Sequence, residues 1–105
     1  MDYEGSIMEK IIRDGMVAVA VSGGFGAGWS TWNDVDPMDA RFNQLFLDGK
    51  VDEAASICDE EDLGYTGGAG GVSIEWIPVG TEFIITEYDG AESLETKDSF
   101  DWRIA

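Results

Sequence analysis

At 105 residues the chain has the size of one domain and too little length for a second independent core, and its 44% hydrophobic content, with four Trp, five Phe and three Tyr, is enough apolar material to fold. Twenty-two acids against six bases give a formal charge of −16, unevenly spread: residues 1–50 hold eight acids and four bases, residues 51–105 fourteen and two. A field of that sign repels phosphate backbones and anionic headgroups, which argues against direct binding to nucleic acid or membrane, and it attracts proteins with a basic surface.

In chain order, residues 1–14 carry Ile7, Met8, Ile11 and Ile12 without a decisive pattern, compatible with a short helix or with a loosely attached or partly non-native segment, and are assigned no element. Met16 to Val21 alternates Val17, Val19 and Val21 with alanines, a central strand with one bulky and one close-packed face. A glycine-rich stretch, Ser22 to Asn33, then brings Trp29 and Trp32 to a loop. Asp36 is positioned to cap a helix with Pro37 at its first position, Met38, Phe42, Leu45 and Phe46 on one face, and Gly49 as its stop. Val51 to about Asp62 reads as a second, shorter helix with Ala54, Ala55, Ile57 and Cys58 inward and Asp52, Glu53, Asp59, Glu60 and Glu61 outward.

Beyond the Gly67–Gly71 run, Val72, Ile74 and Trp76 alternate with polar residues, and a Pro78-Val-Gly80 turn leads into Thr81–Tyr88 as the antiparallel neighbour. Asp89-Gly90 signals a tight hairpin pairing Phe83–Tyr88 with Ala91–Thr96, and Phe100, Trp102 and Ile104 alternate like a further strand. The element order predicts a single α+β domain: an antiparallel four- to five-stranded sheet with two helices packed on one face.

Catalytic chemistry finds few tools here. The chain has no histidine, which removes the usual proton shuttle, and Cys58, its only cysteine, falls on the inner face of a helix among acids that would raise its pKa. A lone cysteine forms no intrachain disulfide and no zinc cluster, so no enzyme activity, cofactor or metal is expected, and a reducing cytoplasm fits best. Met16 to Val21, the longest apolar run, is too short to cross a bilayer, and the N-terminus does not resemble a signal peptide. Glycines at 23, 24, 26 and 28 miss the spacing of nucleotide-binding loops and have no neighbouring Lys.

Two binding readings remain, each set against a plain structural one. In the first, Glu60, Glu61, Glu87, Tyr88, Asp89, Glu92, Asp98 and Asp101 form an acidic docking surface whose carboxylates imitate phosphates along a duplex. In the second, Gly26, Gly28, Trp29, Ser30, Thr31, Trp32, Asn33, Glu75 and Tyr88 line a pocket for a flat ligand. The plain alternatives are a solvated acidic face and a loop whose tryptophans plug the core.

Gly24 to Asn33 (Gly-Phe-Gly-Ala-Gly-Trp-Ser-Thr-Trp-Asn), Tyr65 to Gly68, Ile74 to Gly80, Glu87 to Glu92 and Asp101-Trp102 together resemble a group of small proteins encoded by tailed bacteriophages. The similarity spans about residues 15–105 and implies a phage origin, with no defined activity. Small acidic phage proteins resemble stoichiometric inhibitors of host defence, of the anti-CRISPR and anti-restriction kind, or sponges for nucleotide signals. The expectation is a non-enzymatic accessory protein of the host cytoplasm that blocks a host nucleic-acid-binding defence protein with a basic surface. A virion or assembly role and homo-oligomerisation stay open.

Overall fold

The computed structural model describes residues 9–24 and 28–97. The expectations for Gly26, Asp98 and Asp101, and for a strand at Phe100, Trp102 and Ile104, lie outside them.

The chain is α+β. Strands β1 (Ile12–Arg13), β2 (Met16–Ser22) and β3 (Val72–Pro78) form an antiparallel sheet in the order β1-β2-β3, and β4 (Phe83–Tyr88) and β5 (Ala91–Thr96) form a separate hairpin. Helices α1 (Ala40–Leu47) and α2 (Val51–Glu60) and a 3₁₀ turn at Gly67–Gly71 connect β2 to β3. The sequence reading placed β4 beside β3 in one sheet. In the structure β3 pairs instead with β2, through Val17↔Ile77, Val19↔Glu75 and Val21↔Ser73.

The alternation along β2 explains the division into two sheets. Residues opposite each other in an antiparallel pair point the same way, so Ala18, Ala20, Trp76 and Ile74 share one face and Val17, Val19, Val21 and Ile77 the other. On the alanine side, small side chains let the helices approach: Ala20 packs in a core with Trp29, Val35, Phe42, Ala54, Cys58 and Ala69. The valine side would lie bare in a helix-covered single sheet. The hairpin covers it, with Phe83, Ile85 and Leu94 packed against Val19, Val21 and Ile77. Burying each such Val or Ile contributes about 1.5–3 kcal/mol, which favours folding the hairpin beneath the sheet over extending the sheet edge. Gly80, at φ +89, supplies the turn in the link between β3 and β4. The molecule is thus three layers: helices, sheet and hairpin.

Helix α1 begins three residues later than its sequence suggests. The cap is Asp39, whose side chain accepts the Arg41 amide. Asp36 instead holds the Met38 amide at 2.8 Å, and the Pro37 carbonyl is taken by the Ala20 amide and by Asn43 Nδ2, so it serves the sheet rather than a helical ladder. The C-terminal stop is at Gly49 (φ +75), where the amides of Gly49 and Lys50 reach back to the carbonyls of Phe46 and Leu45. Helix α2 ends the same way with Asp62 (φ 56) in the glycine's place: the Asp62 and Leu63 amides bond to Asp59 and Cys58. No helix among the described residues is long and apolar enough to cross a membrane.

Candidate functional site

The glycine-rich stretch after β2 leaves one of its two tryptophans in the core and the other at the surface. Trp29 is fully buried, edge-on to Phe42 and Phe46 at centroid distances of 5.9 and 5.3 Å. It belongs to the helix-side core and offers no face to a ligand. Trp32, three residues on, is 38% exposed and meets the ring of Tyr65, itself 42% exposed, edge-on at 5.2 Å.

The backbone fixes this aromatic pair. Asn33 and Gly64 form an isolated antiparallel bridge, the Asp34 amide donates to the Leu63 carbonyl at 2.7 Å, and Asn33 Nδ2 donates to the Tyr65 carbonyl while its Oδ1 accepts the Val35 amide. Each ring lies on a glycine: a Cβ on Gly28 would sit 2.8 Å from Trp32 Cγ, and one on Gly67 would collide with the Tyr65 ring. The result is a rigid ledge of two exposed rings, made where residues 32–34 run beside residues 63–65.

That junction also brings acids together. Leu63, whose carbonyl accepts the Asp34 amide, directly follows the acidic end of α2, where Asp59, Glu60, Glu61 and Asp62 are all exposed, as is Asp34. The buried Cys58 thiol lies within the fields of three of them. Its pKa is raised first by burial and then by the fields of Asp59, Asp34 and Glu61. One of these charges is already matched: Arg41 grips both oxygens of Glu61, at 2.6 and 3.0 Å, which raises the guanidinium pKa further.

The predicted acidic surface divides between layers. Glu60 and Glu61 lie at the end of α2, whereas Glu87, Tyr88 and Asp89 lie at the turn of the hairpin, across the sheet. At that turn Glu87 accepts the Gly90 amide at 2.9 Å, and Asp89 takes φ 49. Glu92 is not on the surface at all. It is 4% exposed, so it leaves the docking set, and its carboxylate ties the hairpin to the glycine-rich loop. Oε1 accepts the Ser22 amide at 2.9 Å, and Oε2 accepts the Trp29 and Thr31 amides at 2.8 and 3.0 Å and the Thr31 hydroxyl at 2.7 Å.

The predicted pocket likewise does not converge. Gly28 is covered by Trp32, Trp29 is core, Ser30 is half-buried beside it, Thr31 is committed to Glu92, and Asn33 is committed to the bridge. Glu75 lies on the valine face of the sheet, and Tyr88 lies at the turn of the hairpin, 73% exposed. Tyr65 was missed as a site residue, although the aromatic in its Tyr-Thr-Gly-Gly segment beside a turn was a usable signal.

Comparison with protein-family models, curated proteins and solved structures finds no match.

Proposed function

We propose that this is a non-catalytic binding protein that docks onto a basic surface of a partner protein through Trp32 and Tyr65, ringed by Asp34, Asp59, Glu60 and Asp62. The observation that carries the reading is the pair of exposed, pre-positioned rings at the acidic end of α2. Rigid Trp and Tyr anchors give large contact area at little entropic cost, and surrounding carboxylates steer a basic partner and favour arginine and lysine over the rings. The hairpin acids Glu87 and Asp89 add to the long-range field from the opposite layer.

The resemblance to tailed-phage proteins supports a more specific version, in which the partner is a host nucleic-acid-binding defence protein and docking occupies its nucleic-acid groove. Competition tests it. A partner captured from host lysate should be basic, should bind at fixed stoichiometry, and should be released by duplex DNA or RNA. A partner that binds nucleic acid and this protein simultaneously contradicts the groove-blocking version, and capture of a nucleotide-sized ligand in place of a protein contradicts both versions.

A further inference from the structure

Glu92 poses a problem that the docking surface does not address. An ionised carboxylate is costly to bury unless its charge is compensated, and among the described residues this one has no ion-pair partner. Nor does the hairpin by itself favour an acid there. Glu92 stands directly opposite Glu87, a like-charge pairing that destabilises a ladder. Glu87 turns to the Gly90 amide, and Glu92 reaches out of the hairpin to residues 61 to 70 positions earlier in the chain.

What receives it is built mostly of backbone. Three of its four hydrogen bonds come from main-chain amides, one from the end of β2 and two from the far side of the glycine-rich loop, and the fourth comes from the Thr31 hydroxyl. All are 2.7 to 3.0 Å long, well-formed hydrogen bonds, and they address both carboxylate oxygens. Converging amides of this kind make an anion-binding concavity whatever the side chains. We propose that the amides of Ser22, Trp29 and Thr31, with the Thr31 hydroxyl, form an oxyanion receptor for carboxylate- or phosphate-class ligands, with Glu92 as its tethered occupant latching the hairpin onto the sheet. The tether is what the charge of −16 makes necessary: a free anion must approach against that field, whereas an arm on β5 is delivered at a high effective concentration.

Removing the arm should therefore uncover a ligand site. In full-length Glu92→Ala, sodium acetate and inorganic phosphate are titrated against sodium chloride at matched ionic strength, with thermal unfolding and calorimetry as readouts and the wild type as the control for general salt effects. The variant should bind one equivalent of acetate or phosphate saturably and gain thermal stability that the wild type does not. Adding Thr31→Val, which deletes the hydroxyl but keeps the amide, should weaken that binding about tenfold. If Glu92→Ala does not fold in chloride, refolding in acetate or phosphate should restore its sheet circular dichroism. Equal responses of variant and wild type to all three salts, or failure to refold in any of them, would overturn the proposal, whereas the docking surface would stand.

Discussion

Glu92 and Cys58 show how far a single residue's role can be read from the chain. That Cys58 is buried among acids follows from helical periodicity, and the structure agrees. Its pKa is raised on folding, so the unfolded chain releases the thiol proton first as pH climbs. This stabilising contribution is complete below the ordinary thiol range and is lost as pH rises through the folded-state value. Cys58→Ala should therefore flatten the alkaline fall of stability in denaturant titrations at stepped pH, and in the wild type iodoacetamide should label Cys58 only on unfolding. Glu92 was grouped with the surface acids because charge alone does not say which of twenty-two carboxylates turns inward. The signal was nonetheless present: a two-residue turn at Asp89-Gly90 sets Ile85 opposite Leu94 and so places Glu92 on the same, covered face. Glu92→Gln keeps the size but presents an N–H₂ group to donors, and should cost about 2–4 kcal/mol in urea unfolding.

Among the elements, those fixed by local chemistry were legible and those fixed by tertiary competition were not. The hairpin pairing of β4 with β5, the stop at Gly49 and the two faces of β2 follow from turn residues and alternation. The start of α1 did not, because the Pro37 carbonyl is claimed by Ala20, a contact invisible from the helix sequence. Strand β1 is a miss with a readable cause: Asp14-Gly15, at φ 53 and 75, is the same tight-turn dipeptide as Asp89-Gly90. The end of α2 carries its own prediction. Asp62 holds a left-handed conformation that favours glycine, and its amide, not its side chain, makes the capping bond. Asp62→Gly should raise the unfolding free energy by about 0.5–1 kcal/mol, measured by thermal or urea denaturation.

For the whole molecule, an α+β composition was readable, whereas the three-layer stacking was not, because both open sheets and stacked sheets satisfy the same alternation. The stacking decides the functional geometry. It separates the hairpin acids from those of α2, with a single exposed ring, Tyr88, among the former and the paired rings of Trp32 and Tyr65 beside the latter. The most direct measurement is quantitative capture of the basic partner by wild type, by Trp32→Ala/Tyr65→Ala and by Glu87→Lys/Asp89→Lys, each first shown to be folded by circular dichroism. Docking through the ledge predicts that the aromatic variant loses capture by 10²-fold or more, as expected for anchor residues, while the hairpin variant loses only a several-fold, salt-sensitive part. Undiminished capture by the folded aromatic variant would contradict the account.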